Sequence, residues 1–220
     1  MVWYKKGDAI SKQPVFLNRS SLKGPMIHHT LQSLCKKSGV LALLAVALVL
    51  ASGCAKRDAA QSIAIGKQLW MAENLSTDKY RNGDPIRHAR SVEEWNDAIS
   101  KQEGAWCDYG NEADGGRLYN WFAVADPRGL APAGWRVPSD DDWRKLEAAT
   151  GGRGFETAFT GSRNCLGIFF GKGATAFFWT ATPSSEFDAW NREISEGSRQ
   201  LQRVSVAKGL GLSVRCVKGD

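Results

Sequence analysis

AFFWTATP (176–183), DAWNREIS (188–195), QLQRVSVA (200–207) and LGLSVRCV (210–217) are the four runs on which the reading of the fold turns. In the third, Leu201, Val204 and Val206 are the apolar positions. In the fourth, Leu210, Leu212, Val214 and Cys216 alternate with small or polar residues. That is the period of two expected of strands with one buried face. Pro/Ser, Gly/Ser and Lys-Gly turns separate the runs. Short consecutive strands joined by short turns predict a four-stranded antiparallel meander at the C-terminus.

Upstream of the meander, two stretches carry helix-start chemistry. Ser139 stands before DDDWRKLEAAT with Asp142 three residues on, and Ser91 before VEEWNDAISKQ with Glu94 three residues on. Both are capping-box patterns. The three aspartates of the first suit the positive end of a helix dipole better than paired-carboxylate catalysis. Trp143 with Leu146, and Trp95 with Ile99, would face inward, and Gly151-Gly152 would stop the second helix. SIAIGKQLWMAENL (62–75) alternates around Gly66 as two strands and a turn. Two helices and an antiparallel sheet make an α+β fold.

The N-terminal third reads differently. GVLALLAVALVLASG (39–53) is uncharged and apolar, follows Lys36-Lys37 and precedes Cys54. A basic region, an apolar run and small residues describe an export signal, too short for the roughly 20 residues that span a bilayer comfortably. The cysteine after small residues makes it resemble the bacterial lipobox, so Cys54 is expected to be lipidated and to become the mature N-terminus. Residues 26–53 are then the signal peptide. Met26 opens an ordinary n-region, so 1–25 reads as an upstream extension annotated in error. Residues 54–61 form a polar tether, and 62–220 the folded domain. Ala55 after the cysteine points to the outer membrane. Lipid chains provide the membrane attachment.

Processing also changes the charge. The chain has formal net charge +6 from 29 basic and 23 acidic residues, but seven of the bases and one acid precede Cys54, leaving 22 of each. A nucleic-acid partner on grounds of bulk charge is thereby excluded. His88 is the one histidine after Cys54. No histidine-rich zinc site is available, and His88 reads as a lone residue in the turn-like NGDPIRHAR.

IGKQLWMAENL (65–75), YRNGDPI (80–86), GAWCDYGNE (104–112), GGRLYNWFAV (115–124), LAPAGWRVPSDDDWRKLE (130–147), AFFWTATP and LSVRCVKGD (212–220) stand in the order seen in the Fibrobacter succinogenes major paralogous (FISUMP) domain. The chain resembles that family from about Ile63 to Asp220. Where many members have Cys-Pro before the Gly-Trp motif, it has Ala131-Pro132-Ala133. The resemblance implies a lipoprotein-borne extracytoplasmic domain. More distantly, GWRVPSDDDW and LSVRCV are similar to segments of formylglycine-generating enzymes. This implies a C-type-lectin-like architecture, without the Cys-x4-Cys pair of those enzymes, since Cys216 stands alone near the end.

Cys107, Cys165 and Cys216 follow the acylated Cys54. Three thiols in an oxidising compartment suggest one bridge and one free thiol. The lectin-like resemblance, in which the closing strand is tied to an earlier part of the domain, implies Cys107–Cys216 with Cys165 free. A redox pair of Cys165 and Cys216 would instead serve an enzyme acting on a protein thiol.

DYGNEADGGR (108–117) offers Asp108, Asn111, Glu112 and Asp114 as oxygen ligands of a kind that suits Ca²⁺. The spacing is not an EF-hand's, and Asp, Asn and Gly also build tight solvated turns. These four are weak calcium candidates, and no cofactor is expected. Trp106 and Tyr109 beside this loop, with Trp190 in a strand, could stack on sugar rings, against the alternative of a buried aromatic core. The expectation is a surface-anchored binding or structural module, not an enzyme, with a glycan or another envelope protein as ligand. The competing reading is an envelope enzyme acting on polysaccharide or a protein thiol.

Overall fold

The computed structural model describes residues 61–111 and 116–219, all within one compact unit, Arg57–Asp220. Cys54, the signal segment and most of the tether lie outside the described residues, as do Glu112 and Asp114.

β1 (Ser62–Ile65) and β2 (Gln68–Met71) form the expected hairpin, with Ser62 opposite Met71. Gly66 turns it at φ +59°, and a Cβ there would meet the Ala149 methyl at 2.8 Å. β3 (Arg87–His88), β4 (Ala105–Asp108) and β5 (Arg117–Tyr119) make a three-stranded sheet in which β3 and β4 run parallel. Between them lies α1 (Val92–Ser100), whose Ser91 side chain accepts from the Glu94 N–H. The Glu94 carboxylate reaches back to the N–H of Arg90, one residue before the cap.

α2 (Trp121–Ala125) follows β5 directly. With it the described residues hold three α-helices, not the two expected. Five residues are too few to display a 3.6-residue period, and the helix exists because Asn120 caps it from a buried position. β6 (Trp135–Arg136) leads to α3 (Asp140–Thr150), where the Ser139–Asp142 capping box is complete and Gly151 closes the helix in the left-handed region at φ +66°.

β7 (Thr160–Arg163), β8 (Phe169–Lys172), β9 (Thr175–Pro183), β10 (Asp188–Ser195) and β11 (Leu201–Ala207) form the five-stranded sheet in the order β11-β10-β9-β7-β8. The first three runs of the predicted meander are β9, β10 and β11, antiparallel throughout. The fourth run is not a meander strand. Residues 211–217 are buried at every position, and β12 (Val217–Lys218) inserts between β2 and β6.

On the way this segment bonds to several elements in turn. Arg163 N donates to Gly211 O, Tyr119 N to Leu212 O, Trp179 N to Ser213 O, Leu75 N to Val214 O and Met71 N to Cys216 O. Its period of two is real, but the polar positions meet protein, not water. Ser213 shares a 2.7 Å hydrogen bond with Thr160 Oγ1, and Arg215 Nε donates to Asn74 Oδ1 at 2.8 Å.

Three apolar clusters result. One gathers Tyr119, Trp121, Trp179, Leu212, Val214 and Cys216. A second gathers Trp70, Trp143, Leu146, Phe155, Phe178 and Ile194. The third holds Trp95, Ala98, Cys107 and Leu118. Three buried indoles bring their N–H groups to carbonyls, Trp95 to Gly209, Trp121 to Thr180 and Trp179 to Tyr119, which offsets the burial of a polar atom.

Candidate functional site

Turns that carry no core residues collect beside α2 around an open groove of about 590 Å³. Ile99 and Gln102 from the end of α1 form one wall. Trp121, Phe122 and Asp126 from α2 and its C-terminus form the floor. Phe187 from the β9–β10 turn, Lys208 from the end of β11 and Cys165 from the β7–β8 turn complete the rim. Such loops on a rigid sheet are where binding residues concentrate.

Trp121 is held from both sides of the chain. Its backbone N–H donates to Lys208 O and its indole N–H to Thr180 O. The Lys208 ammonium lies 4.6 Å from the indole centroid and donates to the carbonyls of Ser185 and Glu186. That fixes a cation over an aromatic face at the groove and ties the β9–β10 turn to β11. Asp126 is clasped by Arg128 through two nitrogens at 2.9 and 2.8 Å, and this hydrogen bonding holds its carboxyl below the usual aspartate range. At the rim Phe187 is 73% exposed, unusual for a phenylalanine with a core nearby. The groove thus offers aromatic surface, one fixed cation and carboxylates in close quarters.

The aromatic residues singled out from sequence do not meet there. Trp106 is buried, sandwiched between the His88 imidazole, stacked at 3.8 Å, and the Arg117 guanidinium at 4.0 Å. Both its faces are occupied by protein. Tyr109 packs on Phe169 at 5.1 Å. Trp190 is half-buried on β10 under the Arg203 guanidinium, 3.2 Å from its centroid. These are three separate surroundings, not one platform. His88 is a strand residue, not a turn residue. Its imidazole is held below its ordinary pKa by burial and by Arg90, against the pull of Asp108, whose carboxylate lies 4.0 Å from Nε2.

Of the calcium candidates, Asp108 faces His88, and Asn111 is exposed at φ +58° in a 3₁₀ turn. Among the described residues no three His, Cys, Asp or Glu side chains gather as a metal site. The aspartates of GWRVPSDDDW serve the helix start and two ion clusters. Asp142 takes the Arg136 fork together with the Ser139 hydroxyl and N–H. Asp140 receives Arg192 and Arg203, each at 2.9 Å.

The expected Cys107–Cys216 bridge is not formed. Both thiols are free and fully buried, Cys107 in the cluster around Trp95 and Cys216 in the cluster around Tyr119. Because residues 210–217 thread the core instead of closing the meander, the thiol of Cys216 is delivered to a cluster that does not contain Cys107. Burial pushes the two thiols up to about 11 and about 12 respectively. Cys165 is free and exposed on the groove rim, apart from the buried Cys216.

The groove itself was not legible as a site. Its one sequence signal is Phe187, an apolar residue inside the polar turn SSEFD.

Residues 63–154 match the model of the Fibrobacter succinogenes major domain. No curated protein and no solved structure matches the chain. The match stops just beyond α3, short of the whole domain expected. The second core cluster nevertheless packs Trp70 and Trp143 from inside it against Phe178 and Ile194 from beyond it. The stretch that matches the Fibrobacter succinogenes major domain, residues 63–154, therefore shares its core with the five-stranded sheet that follows.

Proposed function

We propose that this protein is a binding module of the bacterial cell envelope, not an enzyme, and that its ligand is a glycan docked in the groove beside α2. The observation that carries the reading is the groove's make-up: an exposed Phe187 and a half-buried Phe122 above the largely buried Trp121, with Lys208, Asp126 and Glu186 at its margins. Aromatic faces with a few convergent polar groups are what a sugar ring needs. No metal is required in this reading.

The domain takes a C-type-lectin-like architecture as the finer form of its α+β fold. It is held at the outer membrane by lipid on Cys54, after cleavage of a signal that begins at Met26. The polar tether 54–61 gives it reach from the bilayer.

A glycan array probed with the purified protein, with and without calcium, tests the ligand. Retention of a defined glycan set, independent of calcium and weakened about tenfold by Phe187→Ala, is the expected result for loss of one aromatic contact. Retention untouched by Phe187→Ala would remove the groove from the account. For the anchor, Cys54→Ser should leave the precursor uncleaved and without lipid, while a start at Met26 should be exported as well as the full chain.

A further inference from the structure

Arg215 belongs to the closing motif LSVRCV, and the groove makes no use of it. It is 2% exposed, and no carboxylate of the described residues lies within ion-pair distance. Arg192, equally buried, has Asp140 and Glu147, both at 2.9 Å. An arginine taken out of water without a counter-charge is costly unless something else compensates it. Arg215 has neutral acceptors and two aromatic rings, Phe155 at 4.8 Å and Phe178 at 5.9 Å from its guanidinium carbon. Nε donates to Asn74 Oδ1 at 2.8 Å, Nη1 to the carbonyls of Met71 and Ala72, and Nη2 to Thr157 Oγ1 at 3.0 Å. A guanidinium has five N–H groups. Four are used, and one on Nη2 remains.

The residue is not sealed in. It borders a second cleft of about 400 Å³, with Asn74, Thr157 and Thr160 among its lining. Asn74 accepts from Arg215 through its oxygen, so its amide nitrogen is left with two donors, and these bond to no described residue. The cleft therefore meets a cation with no ion-pair partner and unspent N–H donors together. Burial pulls Arg215 down to about 10, with Glu73 pulling the other way. The balance of these effects is a cation still short of negative charge. Two acids line the cleft, Glu73 and Glu156, both exposed, and Glu156 is paired with Arg199. Their repulsion acts through water, whereas the attraction of Arg215 acts through protein of lower dielectric.

We propose that this cleft is a second binding site, separate from the groove, which takes a small hydroxylated carboxylate such as a uronic acid through Arg215 and Asn74. The carboxylate accepts from Nη2 of Arg215 and from the Asn74 amide. The bland alternative is that Arg215 only ties the segment after β2 to Thr157.

Thermal unfolding of the full-length protein separates the two. The arms are sodium D-glucuronate, D-glucose, sodium phosphate and sodium chloride, the salts at matched ionic strength. Binding to the folded state alone predicts a saturable rise in midpoint with glucuronate, about 3–6 °C at ten times Kd, with glucose and chloride without effect and phosphate weaker. Glu156→Gln, at an exposed site that leaves the core intact, should lower the glucuronate Kd about twofold by removing a like charge. Arg215→Lys, where it folds, should abolish the rise. Equal shifts with glucose or chloride, a phosphate effect as large as that of glucuronate, or a glucuronate Kd unmoved by Glu156→Gln would each overturn the proposal.

Discussion

The indole rings of Trp70 and Trp143 meet with centroids 4.8 Å apart at an interplanar angle of 57°, and neither has any solvent exposure. Trp70 sits on β2, opposite Val217 of β12, and Trp143 on the first turn and a half of α3. Trp143 also reaches Phe178 of β9 at 5.6 Å. One aromatic cluster thus joins the terminal strands, the capped helix and the five-stranded sheet.

Trp143→Ala should accordingly cost about 3–5 kcal/mol of stability in urea unfolding, the range for emptying a large aromatic site. Trp143→Phe should cost clearly less than that. The indole N–H has no acceptor among the described residues, so removing it relieves a buried unsatisfied donor while most of the ring remains. Equal losses for the two variants would contradict this account. Ser139→Ala should cost on the order of 1 kcal/mol for the lost cap.

Acid should weaken the start of α3. Burial alone would raise the Asp142 pKa, but the Arg136 fork and the Ser139 hydroxyl and N–H outweigh it and hold the carboxyl down at about 2. The folded pKa lies below the unfolded value near 3.8. Its contribution to stability is therefore complete above that value and is lost as pH falls toward 2. Urea midpoints of wild type and Asp142→Asn, measured from pH 5 to pH 2, should converge below pH 4. Curves that stay parallel would show that the ionised carboxylate is not what holds the cap.

The Asp140 cluster should respond more sharply to mutation than its neighbours. Asp140→Ala leaves Arg192, wholly buried, with only the Glu147 carboxylate. Breaking one side of a buried pair typically costs about 3–5 kcal/mol. Glu147→Ala should cost less, because the Glu147 side chain is about a quarter exposed and Asp140 still holds Nη1. Chemical denaturation of the two variants gives the order, and the reverse order would place the essential partner at Glu147.

Thiol chemistry should divide the cysteines by depth. Cys165 should be alkylated rapidly in the folded protein, while Cys107 and Cys216 react only on unfolding, being buried and held far from thiolate formation. Timed alkylation with peptide mapping reads this directly. A Cys107–Cys216 crosslink in the non-reduced map would restore the bridge that the family resemblance implies.

Phe187 and the β9–β10 turn that carries it illustrate how differently local and distant information are written in the chain. Ser91 and Ser139 announce helix starts in the sequence because a cap is closed by atoms three residues away. The runs that become β9, β10 and β11 are readable because each buries one face and joins the next through a short turn. The likeness of residues 63–154 to the Fibrobacter succinogenes major domain is equally a property of the linear chain. By contrast, α2 depends on Asn120, whose amide oxygen accepts from Ala105 N as well as capping the helix, a bond to another strand.

The path of residues 210–217 could be decided only by the tertiary fold. Alternation tells which side chains share a face, but not which elements will cover them, and here both faces are covered by protein. That path sets the fate of the thiols, since it carries Cys216 into one cluster while Cys107 stays in another. The groove and the Arg215 cleft are assembled the same way, from residues scattered between Ala72 and Arg215. Helix caps and strand alternation arise from neighbours along the chain. Sites arise from which surfaces remain uncovered once the core has closed, and that is set by packing between segments the sequence keeps far apart.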